Sequence, residues 1–477
     1  MASITFNLTG CIAYKWNIIV TPADTITAGE VYQVWIGAKF GYQILADTNA
    51  TLSYSGGSIQ LSPTASRYGR ANFIFTPKEQ DYTFTYSADK MEKFEFIACS
   101  DIHSSGLASS ITTQNFEKVR AEYENSMVCC AGDLTQKYNL TAADNVYSIF
   151  KRSYKNICCT GNHEVGNGTA NISWDDWVTK TFANTIYGST KWNQWSELAG
   201  VAFLGISMQK AGGTVFTTKD YSYPVFTTDQ IAQIQNWLPQ YTKGNERVIV
   251  FCHYPYENVT NPYGINKFGL SSDPFGARLG YAGSSGVVGL TSSTRGYIQP
   301  YITQSTSLDE SARQDTYGFL AWLAAQPNVL WFSGHAHTAW EYQYGGIDDG
   351  KNYDSDGNPV KYPHIKAMQY VSSDGTKGAA MINLPSVGWN AEDAIVSVTE
   401  KDIIIKGRKN GIVDENINYV WHQNDDFTFD FTINEKPATT YKIGYNKSGG
   451  EILNTAGYNH TGTVNTSFYD YSGSQIN

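Results

Sequence analysis

The first part of the chain alternates short hydrophobic runs with polar, glycine-rich breaks. The runs include SITFNL, YKWNIIV, EVYQVWIG and ANFIFT, and clusters of Gly, Pro, Ser and Asn separate them. Such alternation is typical of half-buried β-strands, and no helical period of useful length interrupts it. The pattern predicts a small β-sandwich of immunoglobulin-like type over residues 1–90. The alternative is an additional strand layer that belongs to the next domain.

The pattern changes at about residue 93, where continuously apolar runs begin to alternate with helical segments. The runs are FEFIACS, SMVCCAG, NICCTG, RVIVFC and NVLWFSG, and the helical segments between them include TTQNFEKVRAEYE and TDQIAQIQNWLPQY. This order predicts a layered α/β domain, which we place at residues 91–414. Continuously apolar strands are covered on both faces, so functional residues are expected in the loops after their carboxyl ends.

Two long insertions interrupt the α/β pattern, and a third β-rich segment follows it. The insertions run from about Val165 to Gly200 and from Tyr256 to Arg313, and loops of this length are usually functional rims or lids. Residues 415–477 are predicted to be β-rich and to form an incomplete module.

Composition excludes several classes of protein. Over 477 residues the net charge is -10 and the pI is about 5.3. This balance argues against a general nucleic-acid binder, which needs a basic surface. The N-terminus lacks the basic and apolar regions of a secretory signal, and no run reaches the roughly 18 apolar residues of a membrane helix. We therefore expect cytoplasmic synthesis and no membrane partner.

Cysteine placement supports a reducing compartment. Six of the seven cysteines lie in apolar runs just before polar loops, where a small hydrophobic side chain suits a packed strand. Adjacent Cys-Cys pairs in a large chain do not resemble a secreted disulfide framework. The six are Cys99, Cys129, Cys130, Cys158, Cys159 and Cys252.

Residues able to bind metal follow five of the apolar runs. They are Asp101 and His103 in SDIHS, Asp133 in AGDL, Asn162 and His163 in TGNHE, His253 in FCHYP, and His335 and His337 in SGHAH. Five of the eight histidines occupy these loops, which makes the joint pattern far more specific than any single motif. Oxygen and imidazole ligands together suit Mn, Fe, Zn or Co. Asp133 stands between the two ligand sets and can bridge two ions, because a carboxylate has two oxygens.

These five motifs, in this order, resemble those of the calcineurin-like metallophosphoesterases. The resemblance implies a four-layer αββα sandwich, in which two mixed sheets pack face to face with helices outside, and a dinuclear centre at the strand ends. By matching position, the first ion would be held by Asp101, His103, Asp133 and His337, and the second by Asp133, Asn162, His253 and His335. His163 would act on the phosphoryl oxygens or the leaving group, and Glu164 would orient His163 through a hydrogen bond.

One position departs from the family pattern. Gln136 stands where the family often has a carboxylate and where purple acid phosphatases have a metal-binding tyrosine. We therefore expect two divalent transition metal ions, drawn from Mn, Fe and Zn, and not a tyrosinate-bound ferric ion. Arg278 and Arg295 are candidates for binding a substrate phosphate, although exposed loop arginines without such a role are more frequent.

The expected function is hydrolysis of phosphate mono- or diesters by attack of a metal-activated hydroxide, with a small phosphorylated substrate. A site that binds metal without turnover is a second interpretation.

The last segment also resembles the opening strands of β-sandwich modules in phage tail and adhesion proteins. That similarity leads to the alternative of a virion structural or host-attachment protein, whose partners would be virion proteins or other copies of this chain.

Overall fold

The structure is a computed structural model that describes part of the chain. The described residues are 6–9, 11–15, 18–19, 26–36, 50–54, 57–61, 71–76, 82–85, 91–136, 140–153, 155–165, 192–207, 226–242, 246–253, 318–335, 337, 339–340, 347–353, 359–362, 367–371, 376–434, 440–445 and 451–455.

The described residues before position 91 form two four-stranded sheets. Their strands are β1 (Phe6–Thr9), β2 (Cys11–Lys15), β3 (Ile18–Ile19), β4 (Tyr32–Ile36), β5 (Ala50–Tyr54), β6 (Gly57–Leu61), β7 (Ala71–Phe75) and β8 (Tyr82–Thr85). The sheet orders are β1-β8-β5-β6 and β3-β2-β4-β7. The predicted β-structure of this segment is therefore confirmed, while its immunoglobulin-like arrangement stays a prediction.

The central domain is mixed α/β and is built on two larger sheets. Its strands are β9 (Phe94–Cys99), β10 (Val128–Cys130), β11 (Ile157–Cys158), β12 (Asn193–Leu198), β13 (Val201–Ile206), β14 (Val248–Cys252), β15 (Val329–Ser333), β16 (Ile347–Tyr353), β17 (Pro359–Tyr362), β18 (Ala367–Val371), β19 (Lys377–Asn383), β20 (Glu392–Val398), β21 (Asp402–Lys409), β22 (Ile412–Gln423) and β23 (Phe429–Asn434). Its helices are α1 (Ile111–Tyr123), α2 (Leu140–Phe150), α3 (Asn162–Val165), α4 (Thr228–Thr242) and α5 (Val387–Asn390), and residues 318–324 are also helical.

The two central sheets pack face to face, as the sequence predicts. The seven-stranded sheet has the order β11-β10-β9-β20-β21-β22-β23, and the six-stranded sheet has the order β12-β13-β14-β15-β19-β18. The Phe96 ring of the first sheet lies 5.3 Å from the Phe203 ring and 6.3 Å from the Phe251 ring of the second, measured between centroids. The main hydrophobic core therefore fills the space between the sheets.

The parallel strands bring the polar loops to one edge of this core. Strands β9, β10 and β11 pair in parallel, as do β13, β14, β15 and β19. All five residues of β14, VIVFC, and all five of β15, VLWFS, are buried, which agrees with strands covered on both faces. The loops after β9, β10, β11, β14 and β15 carry the candidate ligands.

The seven-stranded sheet continues beyond residue 414, where we expected the central domain to end. That boundary falls inside β22, which pairs with β21 on one side and β23 on the other. The reason is burial: Tyr419 and Trp421 of β22 and Phe431 of β23 belong to the same core as the earlier strands. Two more described strands, β24 (Thr440–Tyr445) and β25 (Glu451–Thr455), pair with each other after this sheet.

The six cysteines of the apolar runs behave as small packed side chains. All six are buried, and no disulfide joins them in the described part of the chain. Burial raises the pKa of the Cys129 thiol well above its usual value, so this side chain stays an unreactive thiol at neutral pH. Among the described helices, none has both the length and the apolar character needed to cross a membrane.

A buried ion pair fastens helix α1 to the seven-stranded sheet. The Arg408 guanidinium donates from Nε and Nη2 to the two oxygens of Asp393, over 2.6 and 2.8 Å. The Tyr123 hydroxyl of α1 donates to the same carboxylate over 2.8 Å, and Arg408 also contacts Glu122. Burial raises the pKa of Asp393, and Arg408 opposes that shift. The buried charges of Asp393 and Arg408 are therefore compensated only while both residues and their hydrogen-bond partners are present.

Replacing Asp393 with Asn should lower the free energy of unfolding by about 3–5 kcal/mol, because the buried guanidinium loses its counter-charge. The matched control is Glu415→Gln, which removes the partner of Lys406 in an exposed pair with a 3.1 Å separation. That change should cost no more than about 1 kcal/mol. Urea denaturation of the two variants measures the difference, and equal midpoints would contradict the structural role of Asp393.

Candidate metal centre

The backbone is turned sharply at five of the candidate ligands. Asp101, His103, Asp133, His335 and His337 all have φ between 49° and 69°, in the left-handed region. This conformation costs a non-glycine residue about 1–3 kcal/mol, and such residues cluster at functional sites. The turns point side chains from successive strand ends toward a common point.

The first group of candidate ligands comprises Asp101, His103, Asp133 and His337. The Nε2 atom of His337 lies 2.9 Å from Oδ1 of Asp101 and 2.8 Å from Nε2 of His103. The Nε2 atom of His103 lies 3.7 Å from Oδ2 of Asp133. Donor atoms about 2.1 Å from one ion are separated by roughly 3.0–3.4 Å, so this spacing suits a shared transition metal ion.

The second group comprises Asp133, His253 and His335. The Nε2 atom of His253 lies 3.2 Å from Oδ2 of Asp133 and 3.2 Å from Nδ1 of His335. The Nδ1 atom of His253 lies 2.9 Å from the carbonyl oxygen of Ala131, and a hydrogen bond there leaves Nε2 free to bind an ion. Asp133 belongs to both groups, which is the arrangement predicted for a bridging carboxylate.

Each of the two aspartates has one oxygen held by the backbone and one facing the imidazoles. The backbone N–H of His335 donates to Oδ2 of Asp101, and that of His163 donates to Oδ1 of Asp133, both over 2.9 Å. Oδ1 of Asp101 and Oδ2 of Asp133 are buried and accept no hydrogen bond from the described residues. Leaving such acceptors unsatisfied costs about 1–3 kcal/mol or more each. Cations between these oxygens and the imidazoles would satisfy them, so the residues fit a metal centre.

The charges of the site favour ionised carboxylates. Burial would raise the pKa of Asp101, but the His337 and His103 imidazoles hold it well below its usual value. The pKa of Asp133 is lowered in the same way, chiefly by His253. Burial and the neighbouring His337 lower the pKa of His103 to about 4, which keeps that ring neutral and able to bind an ion.

Glu164 supports the loops of the site. We expected it to orient His163 through a hydrogen bond, but its carboxylate binds backbone N–H groups instead. Its carboxylate accepts hydrogen bonds from the backbone N–H groups of Gly161 over 2.8 Å, and of Asp133 and Thr135 over 3.0 Å. Glu164 is the third residue of α3, and from this position a glutamate reaches back to the N–H before the helix. Burial and the charge of Asp133 raise the pKa of Glu164 to about 7.

The main chain of Gln136 takes the place that we assigned to Glu164. Nδ1 of His163 lies 2.6 Å from the carbonyl oxygen of Gln136. The His163 ring packs edge-on against that of His103, with centroids 4.6 Å apart. Its side chain is 16% exposed, so it borders both the candidate ligands and solvent. Gln136, which stands where the family often has a carboxylate, therefore supports His163 through a backbone atom.

Sequence reasoning missed the short helix α5 as part of the site. The Ser386 hydroxyl and the Gly388 N–H donate to the carbonyl oxygen of Asp101, over 2.7 and 3.0 Å. The Asn390 amide donates to the carbonyl oxygen of His337 over 2.9 Å. The only signal was the polar turn SVGWN after an apolar run. Helix α5 thus fixes the backbone of two candidate ligands.

Two glycines allow the ligand loops to approach closely. A Cβ atom on Gly161 would lie 2.1 Å from Oδ1 of Asp133, and one on Gly334 would lie 2.4 Å from Oδ2 of Asp101.

Three other predicted site residues lie outside the described part of the chain, in whole or in part. Asn162 begins α3, but its side chain is not described, and neither Arg278 nor Arg295 is among the described residues.

Comparison with protein families gives a match within the central domain. Residues 94–279 match the family model of calcineurin-like phosphoesterases. The model does not reach the flanking segments, and the predicted relation of the C-terminal segment to phage tail modules has no support from it. None of the curated proteins matches the chain.

Several solved structures share weak similarity with the chain. A dimetal phosphatase from Danio rerio has 12% identity and a TM-score of 0.38, and the match covers 68% of this chain and 98% of the other. PhoD has 10% identity and a TM-score of 0.38, with 90% and 92% covered. GAP50, the anchor in the inner membrane complex of Plasmodium, has 12% identity and a TM-score of 0.32, with 69% and 88% covered. Similarities this weak add nothing to the assignment.

Asp133→Asn should deplete both ions, because the shared carboxylate belongs to both ligand groups and an amide carries no negative charge. Elemental analysis of protein purified without chelator measures the metal content. Asp402→Asn is the control, since Asp402 contacts His422 on the surface, outside the ligand groups. Unchanged metal stoichiometry in Asp133→Asn would refute the bridge.

Glu164→Gln should destabilise the Asp133 loop by about 1–3 kcal/mol, because the amide nitrogen would face backbone donors. Metal affinity should fall about 10–100-fold, the usual range for a group that supports ligands. Denaturation with chelator and metal titration measure the two effects separately. Glu117→Gln, at an exposed carboxylate paired with Arg120, is the control. Wild-type values for both quantities would show that the Glu164 hydrogen bonds do not support the site.

Proposed function

Because residues 94–279 match the family model of calcineurin-like phosphoesterases, we propose that this chain hydrolyses phosphoric esters at a dinuclear metal centre. The observation that carries the proposal is the pair of ligand groups that share Asp133. In both Asp101 and Asp133, one buried carboxylate oxygen faces imidazole nitrogens and accepts no hydrogen bond from the described residues. The proposed substrate is a small phosphorylated molecule, either a monoester or a diester.

The proposed ligand sets follow the two groups and add one residue. The first ion is held by Asp101, His103, Asp133 and His337, and the second by Asp133, Asn162, His253 and His335. Asn162 is added because it matches the ligand position of the family motif GNHE, and it follows Gly161, whose backbone packs on the Asp133 carboxylate. The mixed oxygen and nitrogen donors suit Mn, Fe or Zn. Two such ions would draw charge from the phosphoryl oxygens and make water a better nucleophile near neutral pH.

His163 is the proposed proton donor to the leaving group. A hydrogen bond from Nδ1 to the Gln136 carbonyl fixes the ring, and Nε2 lies 3.9 Å from Oδ2 of Asp133, at the border of the site. A protonated ring held there can donate from Nε2 to the departing oxygen. Glu164 acts as a positioning residue, because its oxygens accept from the backbone around Asp133.

The phosphate-binding residues of the proposal are Arg278 and Arg295. A guanidinium binds two phosphate oxygens at once, and each arginine lies in the insertion that we interpret as a rim of the site. Their support comes from the sequence alone.

A panel of substrates tests the proposed function directly. The wild-type protein is purified without chelator, analysed for metal, and assayed against aryl monoesters, aryl diesters and nucleotides. Hydrolysis that is lost with chelator and restored by Mn, Fe or Zn is the expected result. A metal-loaded protein that hydrolyses none of them would contradict the proposal and favour the interpretation of a site without turnover.

His163→Ala should retain near-normal metal content while turnover of an aryl phosphate falls by roughly two to four powers of ten. The reason is that His163 moves a proton and does not hold an ion. Metal analysis and kcat of the same preparation check both parts. The control is His422→Ala, which removes a half-exposed histidine paired with Asp402. Loss of metal, or unchanged turnover, would contradict the role of His163.

A further inference from the structure

A large exposed aromatic side chain borders the proposed active site. Trp389 is 46% exposed, whereas Trp237, Trp331, Trp340 and Trp421 are fully buried. Its ring centroid lies 6.4 Å from that of His103, a candidate ligand of the first ion. The indole therefore lies beside the metal centre with part of its surface open to solvent.

The backbone of Trp389 is held by the same contacts that fix the ligand loops. The Trp389 N–H donates to the Ser386 hydroxyl over 3.1 Å, and that hydroxyl donates to the Asp101 carbonyl. The Asn115 amide of α1 donates to the carbonyl oxygens of Gly388 and Trp389, over 2.9 and 3.2 Å. An aromatic ring on so fixed a backbone can bind a ligand at low entropic cost.

The neighbouring part of α1 also presents apolar side chains to solvent. Ile111 is one helical turn before Asn115, on the same helix face, and is 51% exposed. Leu107, just before the helix, is 65% exposed. A single exposed apolar residue needs no explanation, but several at the border of a site indicate a binding surface.

We propose that Trp389 stacks against a flat aromatic ring in the leaving group of the substrate. This inference rests on the proposed function and narrows it to esters in which phosphate is joined, directly or through a sugar, to an aromatic group. The aliphatic Ile111 and Leu107 favour an uncharged ring over a quaternary ammonium group, which aromatic residues also bind. Stacking of this kind uses the face of the ligand ring, so it accepts both simple aryl groups and nucleobases.

Binding of two phosphonates to the metal-loaded protein tests the stacking. Calorimetry compares phenylphosphonate with methylphosphonate, which share the phosphoryl group and differ in the ring. Trp389→Ala should weaken phenylphosphonate binding about tenfold and leave methylphosphonate binding unchanged. Trp389→Phe should recover most of the loss, because it restores an aromatic face. Ile412→Ala is the control, at an exposed apolar residue on β22.

Two further titrations compare a nucleobase with a phenyl ring and test a cationic ligand. Titration with adenosine monophosphate measures whether a nucleobase gains more from Trp389 than a phenyl ring does, and either order supports the stacking. Titration with phosphocholine tests the cationic alternative. A loss for phosphocholine in Trp389→Ala without a loss for phenylphosphonate would overturn the inference.

The outcomes separate this inference from the proposed function. If the protein hydrolyses esters and Trp389→Ala weakens both phosphonates equally, the stacking is wrong and the proposed function stands. If neither phosphonate binds and no ester is hydrolysed, the proposed function fails and the inference fails with it. Thermal unfolding of each variant shows whether the fold is intact. If Trp389→Ala unfolds, the Trp389→Phe and wild-type proteins still test the preference for phenylphosphonate, and equal affinity for the two phosphonates overturns the inference.

Discussion

The burial of two carboxylates is the constraint on which the site depends. Asp101 and Asp133 are fully buried, and a buried charge is tolerated only where it is paired and hydrogen-bonded. The fold meets half of this requirement with backbone N–H groups from His335 and His163, each donating to one oxygen. The imidazoles meet the other half only in part, since burial lowers the pKa of His103 and of His335, and a neutral ring carries no positive charge. Cations held between the two would complete the compensation.

The same constraint explains the unusual backbone around the site. Five candidate ligands adopt left-handed conformations that the rest of the fold must stabilise. The stabilising contacts come from outside the ligands themselves: Glu164 binds the N–H groups near Asp133, and helix α5 binds the carbonyl groups of Asp101 and His337. These contacts fix the backbone of the candidate ligands, and a rigid scaffold of this kind lowers the cost of binding an ion.

The sequence predicted those features that depend on short-range pattern. Continuous apolar runs such as RVIVFC predicted the buried strands, and the polar residues after them predicted the candidate ligands. The predictions from sequence were wrong where contacts between distant parts of the chain determine the structure. Glu164 lies next to His163 in the chain, yet its partners are backbone groups of Gly161, Asp133 and Thr135. The end of the domain was also misjudged, because the core burial of β22 and β23 depends on pairing that no local pattern reveals.

Helix α5 would connect the rigidity of the candidate metal centre with the proposed choice of substrate. Its four residues follow Ser386, whose hydroxyl bonds both the Asp101 carbonyl and the Trp389 N–H. The Ser386 hydroxyl therefore links the backbone of Trp389 to the backbone that carries a candidate ligand. Because one hydroxyl couples the Asp101 and Trp389 backbones, an aromatic leaving group on Trp389 would lie at a restricted distance from the reacting phosphate. Specificity in such a site would depend on hydrogen bonds that also fix the backbone of a candidate metal ligand.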